Sequence, residues 1–202
     1  MVGHLTKSGL ILPALALRDG DLTLRPWSAD DAGALGAAVA KSVEHLRPWM
    51  EWIAAEPQTV AQRRRWILQC ERDRAGGGPL ILGIFLDGAV AGGCGLHQRV
   101  GADGLEIGYW THPAFLRRGV ASTASRLLTV AAFDLAGISF VEIHHDKANV
   151  ASGGVPRKLG FELVGEAPDP PTAPGEIGIE CRWRMDRAVW LARHPSGAPS
   201  AD

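Results

Sequence analysis

The first third of the chain passes from an alternating segment into helical spacing. Residues 22–27 alternate apolar and polar side chains until a proline interrupts them, which predicts a strand of about five residues. Ser28, three residues before Asp31, is a capping signal and predicts a helix over about 29–40. Apolar residues recurring every three or four positions predict two further helical regions, at about 43–54 and 59–74.

The pattern changes to strands after a glycine-rich loop at 75–79. Two apolar runs joined by Asp87-Gly88 predict a hairpin of buried strands over 80–86 and 89–97. The remaining pattern predicts a strand at 105–111, a helix at 119–136, a strand at 139–144, a helix at 150–159 and strands at 161–165 and about 176–187, the last after a proline-rich loop at 168–174.

This order predicts one mixed sheet with helices on both faces. The sheet is mostly antiparallel and turns parallel around the 119–136 helix, because a strand–helix–strand crossover links parallel neighbours. The fold class is therefore α/β or α+β. We expect an N-terminal arm at 1–20, a single domain at 21–190 and a flexible tail at 191–202.

Composition and charge narrow the classes of function. The chain has 202 residues, 46% of them hydrophobic, and a formal net charge of -1, which argues against a disordered chain and a dedicated nucleic-acid binder. The Arg63-Arg64-Arg65 run is expected on a solvated helix face. No apolar run approaches the ~18 residues that cross a bilayer, so no membrane partner is expected.

The cysteines and the N-terminus indicate a cytoplasmic protein. Three widely spaced cysteines fit neither a disulfide framework nor a zinc site, so we expect reduced thiols and no metal. Cys94, between glycines in a strand, is expected as a small buried residue. The short apolar run at 10–17 contains Pro13 and lacks a basic leader, which favours an arm or first strand over a signal peptide.

The turn before the 119–136 helix has the composition of an anion site. Gly119 allows close backbone approach, and Arg117 and Arg118 add cationic donors. The free backbone N–H groups of Gly119, Val120, Ala121 and Ser122 lie at the positive end of the helix dipole, as in pyrophosphate sites. The alternative is an ordinary turn with solvated arginines.

Three ordered blocks resemble the GNAT acyltransferase superfamily and, within it, the RimJ/RimL-like N-acetyltransferase branch. They are Glu106-Ile107-Gly108-Tyr109-Trp110 before a His-Pro, the Arg117-Arg118-Gly119-x-Ala121 turn, and Asn149-x-x-Ser152 followed by Lys158-Leu159-Gly160-Phe161. Leu46-Arg47-Pro48-Trp49 also resembles that branch. The resemblance covers about residues 20–187.

The resemblance implies acetyl-CoA as acyl donor, held in a V-shaped opening of the sheet between the 106–111 and 139–144 strands. The pantetheine arm would follow the backbone of Trp110, Thr111 and His112 like an added strand. The remaining implied contacts are the pyrophosphate on the 117–122 turn, Asn149 on the cofactor arm, Ser152 near the sulfur and Lys158 at the cofactor.

The chain departs from the family pattern at two points. Leu116 replaces a usual polar turn residue, so Arg117 or Arg118 would supply that phosphate contact. Pro156, four residues after Ser152, lacks an N–H and clashes with the Ser152 carbonyl in a regular helix. We therefore expect a distorted or delayed helix start after Ser152.

Two residues are candidate catalytic groups. Glu106 would act as a modest base on the amine, directly or through one water, because an α-amine is already about 10–20% neutral at pH 7. The alternative is that Glu106 is an exposed carboxylate or an ion-pair partner. Ser152 would stabilise the leaving thiolate; its alternative is a helix cap. Tyr109, the one tyrosine, lies upstream, which excludes a downstream tyrosine acid.

The acceptor is weakly determined by the sequence. Trp49, Trp52 and Trp66 are either core residues or a stacking surface for a flat acceptor, and His97 and His144 are secondary substrate candidates with structural alternatives. The prediction is an N-acetyltransferase acting on a protein N-terminus or a small aminoacyl or antibiotic amine, with a homodimer left open. The competing class is a non-catalytic acyl-CoA sensor with the same fold, and another acyl group remains open.

Overall fold

The computed structural model describes residues 10–194. Its strands are β1 (Leu17–Asp19), β2 (Leu22–Pro26), β3 (Leu80–Leu86), β4 (Ala89–His97), β5 (Gly104–Thr111), β6 (Phe140–Asp146), β7 (Glu162–Pro168) and β8 (Ile179–Asp186). The α-helices are α1 (Ala32–Leu46), α2 (Val60–Ala75), α3 (Val120–Phe133), α4 (Val150–Leu159) and α5 (Arg187–Arg193).

All eight strands form one sheet in the order β1-β2-β3-β4-β5-β6-β8-β7. Every neighbouring pair is antiparallel except β5 and β6, which run parallel around α3. The predicted mixed, mostly antiparallel α/β sheet is therefore confirmed, together with the position of its parallel step.

The parallel pair separates soon after it begins. β5 and β6 are in register only from Gly104 opposite Phe140 to Glu106 opposite Glu142. Beyond that point β5 continues to pair with β4, and β6 continues to pair with β8. The sheet therefore opens between the carboxyl-terminal halves of β5 and β6, and the opening narrows to Glu106 and Glu142.

Two hydrophobic cores cover the two faces of the sheet. The larger core packs α3 and the sheet residues Leu105, Ile107, Val141, Ile143 and Trp183 together. The smaller core packs α1 and α2 against Trp27, Phe85 and Val90. Because side chains alternate along a strand, Glu106 and Glu142 project from the face opposite the larger core.

The predicted helices differ from the observed ones near the N-terminus. A capping box at Ser28 opens a 3-10 turn that leads into α1, which continues without a break to Leu46. Only a 3-10 helix, Glu51–Ala55, follows before α2. The predicted solvated run on α2 is wrong for Arg63, which is 4% exposed and paired with Glu56.

The chain ends required corrections as well. Leu12 of the predicted arm is fully buried in the larger core, and β1 begins at Leu17. The predicted tail boundary falls inside α5, whose Trp190 is buried against the sheet. The rest of the arm, 1–9, and of the tail, 195–202, lies outside the described residues. None of the described helices has the length and apolar character of a membrane span.

Candidate active site

The turn before α3 has the backbone geometry of an anion site. Gly119 has a φ of 78°, and Arg117 also has a positive φ of 59°. The first N–H groups of α3, at Val120, Ala121 and Ser122, have no intrahelical acceptor by the geometry of any helix start. They lie at the positive end of a helix of 14 residues, so the predicted turn fits a diphosphate.

The edge of β5 along the opening carries unpaired backbone groups. The N–H of His112 donates to the Ala91 carbonyl oxygen at 2.8 Å, so the backbone groups of His112 and Trp110 point toward β4. Those of Tyr109 and Thr111 consequently point into the opening. Thr111 can therefore make the predicted strand-like contact with pantetheine, and so can Tyr109, which was not predicted. The prediction is wrong for Trp110 and His112, whose backbone groups face β4.

The start of α4 corrects the expectation for Pro156. The helix begins regularly at Val150, and the Asn149 side chain accepts a hydrogen bond from the Ser152 N–H at 3.1 Å. Pro156 lies inside the helix without interrupting it. The carbonyl oxygen that Pro156 leaves free is that of Ser152, and it accepts a hydrogen bond from the Tyr109 hydroxyl at 3.0 Å.

The neighbouring residues define the roles of this helix start. Asn149, not Ser152, is the helix cap, so Ser152 keeps its hydroxyl for another contact. That hydroxyl lies 3.1 Å from the Tyr109 hydroxyl. Burial raises the pKa of Tyr109 to about 12, which keeps the phenol protonated at neutral pH. Lys158 is exposed on the same helix.

Glu106 lies at the narrow end of the opening on the opposite face. Its carboxylate is 5% exposed, and Arg99 binds both oxygens, with Arg99 Nε 2.6 Å from Oε2. Burial acts to raise the pKa of Glu106, but the hydrogen bonds and charge of Arg99 outweigh it and lower that pKa. Glu106 is therefore an anion at neutral pH.

A histidine connects the carboxylates of three neighbouring strands. His144 Nε2 lies 2.7 Å from Glu142 Oε2, and His144 Nδ1 lies 3.0 Å from Glu180 Oε1 and 3.8 Å from Glu106 Oε2. Arg184 Nε donates to Glu142 at 2.8 Å. This network fixes the acidic side chains in place, and His144 lines the cavity between them.

Glycines form the floor beside Glu106. A Cβ on Gly93 would lie 2.5 Å from the Trp110 indole nitrogen, and a Cβ on Gly108 would lie 3.3 Å from His97 Nε2. The two rings therefore occupy space beside these glycines that a side chain would otherwise fill. Burial lowers the pKa of His97, with the Arg99 charge acting in the same direction, so this imidazole is neutral at pH 7.

Aromatic side chains close the outer part of the same face. Trp52 packs edge-to-face with Trp110 at a ring distance of 6.1 Å, and Trp49 lies nearby on the cavity wall. Trp52 and Trp66 are 38% and 40% exposed, so neither belongs to the core. Asp169 of the proline-rich loop and Glu176, two residues after it, contribute to the wall as well.

The carboxylates, histidines, tryptophans and paired hydroxyls described above line one cavity of about 1140 Å³. Its lining includes Glu106 and His144 from one face of the sheet and Tyr109 and Ser152 from the other. The cavity therefore passes through the opening between β5 and β6, and brings the predicted catalytic pair to one space. The 117–122 turn lies outside its wall, beyond the end of β5.

Sequence reasoning missed three charged residues of the site. Arg99 lies two residues beyond β4, and strand alternation places Glu142 beside His144 on one face of β6. Glu180 becomes their neighbour only because β8 inserts between β6 and β7. The two-residue period of a strand could have predicted that Glu142 lies beside His144. The positions of Arg99 and Glu180 could be known only from the path of the chain after β4 and from the strand order.

Burial raises the pKa of the thiol at each cysteine of the described chain. Cys94 is buried, as predicted, and burial raises the pKa of its thiol. Burial also raises the pKa of Cys70 to about 11. Within residues 10–194, no three His, Cys, Asp or Glu side chains are grouped to hold a metal ion.

A mixed sheet split beside an αL turn, with a carboxylate and a hydroxyl lining the split, is the arrangement that the GNAT resemblance implies. The comparisons agree: the model for the family "Acetyltransferase (GNAT) domain" matches residues 21–162. The chain therefore belongs to the GNAT acetyltransferases and is an N-acetyltransferase, a family whose members take their acyl group from acetyl-CoA.

The relatives found lie in the predicted RimJ/RimL-like branch. The Bacillus subtilis (strain 168) protein named "Putative ribosomal N-acetyltransferase YdaF" is 28% identical over 150 residues, which is 73% of this chain and 81% of that protein.

Solved structures share the fold at lower identity. RimL, a ribosomal L7/L12 alpha-N-protein acetyltransferase solved with coenzyme A, has a TM-score of 0.77 and 20% identity over 89% of this chain and 99% of that one. The microcin C7 self immunity acetyltransferase MccE, solved with acetyl-CoA and AMP, has a TM-score of 0.76 and 21% identity over 90% and 98% of the two chains.

Proposed function

We propose that this protein transfers the acetyl group of acetyl-CoA to the α-amine of a peptide N-terminus or of a small aminoacyl-type molecule. The observation that carries the proposal is the cavity that crosses the sheet between β5 and β6. It presents anionic side chains on one face and a hydroxyl pair on the other. Amine and thioester thus reach the same space from opposite sides.

The donor fits the groups on its side. The orphan N–H groups at 120–122 and the guanidiniums of Arg117 and Arg118 suit a diphosphate. The free edge of β5 at Tyr109 and Thr111 suits an extended amide-bearing arm. The Thr111 N–H is the donor placed to polarise a carbonyl lodged in the opening.

The acceptor side suits an amine that is cationic in solution. Glu106 and Glu180 face the cavity and attract an ammonium, while the neutral His97 adds no opposing charge. An α-amine is about 10–20% neutral at pH 7 and a lysine side chain about 0.04%, so only the former reacts with so weak a base as Glu106. Glu106 takes the proton through a bound water.

The step is a direct attack that needs no covalent enzyme intermediate. The C–N bond forms as the C–S bond breaks, and the electron pair passes to sulfur. Ser152 donates a hydrogen bond to that sulfur while the amine proton leaves toward Glu106. The alternative of a non-catalytic sensor rested on Pro156 beside Ser152 and on Leu116 in the turn, and the regular α4 removes the first of these two reasons.

Release of free thiol from acetyl-CoA tests this function. The panel contains a peptide with a free α-amine, the same peptide N-terminally blocked but carrying lysine, and an aminoacyl nucleotide. We expect release with the free α-amine or the aminoacyl nucleotide and none above background with lysine alone. Binding of coenzyme A without release on any amine contradicts the proposal.

A further inference from the structure

Tyr109 and Ser152 are joined across the opening of the sheet. Tyr109 lies on β5 and Ser152 in the first turn of α4, the helix that follows β6. The tyrosine hydroxyl lies 3.0 Å from the Ser152 carbonyl oxygen and 3.1 Å from the Ser152 hydroxyl. One phenol therefore contacts both the backbone and the side chain of the same residue.

Pro156 is the reason that the backbone contact exists. In a regular helix the Ser152 carbonyl oxygen would accept from the N–H of residue 156, and proline has none. A buried carbonyl without a donor destabilises the folded state. The Tyr109 hydroxyl supplies the missing donor, and in doing so approaches the Ser152 side chain.

The remaining polar group of Ser152 is held as well. Its N–H donates to Asn149 Oδ1 at 3.1 Å. The next residue, Gly153, has no Cβ, which allows His145 to lie where that Cβ would be only 2.8 Å from Nε2. Trp183 Nε1 donates to the same His145 nitrogen at 3.0 Å and keeps the ring there. The first turn of α4 is consequently fixed from several sides.

We propose that Tyr109 is a positioning residue that holds the Ser152 hydroxyl toward the departing sulfur, and that Pro156 creates this arrangement by freeing the Ser152 carbonyl. The inference rests on the proposed function. Tyr109 shares its single proton in a three-centre hydrogen bond between the Ser152 carbonyl and hydroxyl oxygens, 3.0 and 3.1 Å away, so the Ser152 hydroxyl proton is left for the hydrogen bond to sulfur. Tyr109 transfers no proton, so the amine proton and the thiolate balance as before.

The substitution Tyr109→Phe tests the inference because it removes the hydroxyl and keeps the ring. We expect kcat to fall about 10-fold, the equivalent of one hydrogen bond to a developing charge. KM for acetyl-CoA should stay within about twofold, since Tyr109 acts through Ser152. In a Ser152→Ala background the same substitution should have no further effect on kcat.

A second variant separates positioning from folding. Tyr109→Phe leaves the Ser152 carbonyl without a donor, and Pro156→Ala adds an N–H that takes it. The double variant Tyr109→Phe with Pro156→Ala should therefore recover Tm while kcat stays low. Thr129→Val, which removes a buried hydroxyl donating to Ser125 O at 2.8 Å in α3, is the matched control and should keep wild-type kcat.

The outcomes distinguish this inference from the proposed function. An unchanged kcat in Tyr109→Phe, a loss that is additive with Ser152→Ala, or recovery of kcat together with Tm in the double variant each overturns it. If Tyr109→Phe does not fold, the kcat of the double variant by itself tests the inference. Absence of thiol release by the wild-type protein would instead contradict the proposed function.

Discussion

The two faces of the split sheet are built on different principles. On the α3 and α4 side, the groups offered to a ligand are mostly backbone: the helix start at 120–122 and the free edge of β5. On the α1 and α2 side, they are side chains such as Glu106 and Glu180, held by arginine and histidine partners. Backbone groups suit an acyl donor that family members share, and side chains suit the particular amine that each member acetylates.

Electrostatics follows the same division. On the α3 side, Arg117 and Arg118 of the turn carry positive charge at the surface, and the Tyr109 phenol in the cavity stays protonated. The other side concentrates carboxylates, with the pKa of Glu106 lowered despite its burial. The opening between β5 and β6 brings an anionic pocket against a hydrogen-bond donor pair. Substitutions on one side should therefore leave the other side's function intact.

The largest effect is expected on the acidic side. Glu106→Gln should lower kcat about 10- to 30-fold at pH 7, because the amine then loses its proton acceptor. The loss should shrink toward pH 9, where an α-amine is already neutral. The affinity for coenzyme A, measured by calorimetry, should not change. Glu162→Gln, exposed on β7, is the control.

An equal loss of kcat at pH 7 and pH 9 would contradict a role for Glu106 in proton transfer. Weaker coenzyme A binding would contradict the separation of the two faces, whatever the rate does.

The next effect is expected at the donor turn. Gly119→Ala places a Cβ at a φ of 78°, which costs about 1–2 kcal/mol and opposes the turn. We expect coenzyme A to bind about 10-fold more weakly. Gly137→Ala is a matched control because Gly137, beyond the other end of α3, has a φ of 81° and equally open surroundings.

Both variants should lose similar free energy of unfolding, and only Gly119→Ala should lose coenzyme affinity. Equal affinity losses in the two variants would show that the turn acts through stability alone.

A smaller effect is expected at the glycine floor. Gly93→Ala would place its Cβ 2.5 Å from the Trp110 indole nitrogen, so the ring must shift toward Trp52 and into the cavity. We expect KM for the amine to rise about three- to fivefold, with KM for acetyl-CoA unchanged. Gly33→Ala, with open space around it on α1, is the control. A selective change in KM for acetyl-CoA would contradict the assignment of this floor to the acceptor.

The smallest effect, on stability, is expected at Asp146, which ends β6 and binds the backbone before β8. Asp146 accepts hydrogen bonds from the N–H groups of Ala148, Ile177, Gly178 and Ile179, at 2.8 to 3.3 Å. Burial acts to raise the pKa of Asp146, but these donors outweigh it and lower that pKa. The carboxylate therefore stabilises the fold above the pKa of an unfolded aspartate, and this stabilisation is lost as the pH falls through the folded-state pKa.

Asp146→Asn should lower the free energy of unfolding by about 1 kcal/mol at pH 7. The difference from wild type should narrow below about pH 4, where the carboxylate begins to take up a proton. Denaturant titrations at both pH values check this, with Asp87→Asn on the hairpin turn as control. A difference that is constant with pH would contradict a role for the charge.

The backbone-built side was the more predictable from sequence. Gly119 and the apolar spacing after it located the turn and the start of α3 within one residue, although α3 ends at Phe133 and not at 136, and the span predicted for α4, 150–159, is the observed one. These signals are local, because a helix start and a positive φ depend on neighbouring residues. The same holds for the β3–β4 hairpin, whose two strands were predicted with their observed bounds.

The side-chain-built side was predicted only in part. Glu106 was identified, but its partner Arg99 was not, since that contact depends on where the chain turns after β4.

Pro156, on the backbone-built side, was misjudged for a related reason. Its local penalty is real, but the Ser152 carbonyl oxygen that it frees is bonded by the hydroxyl of Tyr109, 43 residues before Ser152. Such long-range compensation has no local sequence signal.

The central claim is that the donor enters through the opening between β5 and β6, with its diphosphate on the turn before α3. A crystal structure with bound coenzyme A tests it most directly. We predict phosphate oxygens within hydrogen-bond distance of the N–H groups at 120–122, and sulfur between Tyr109 and the start of α4. A diphosphate bound away from this turn, or a thiol outside the opening, would contradict the claim.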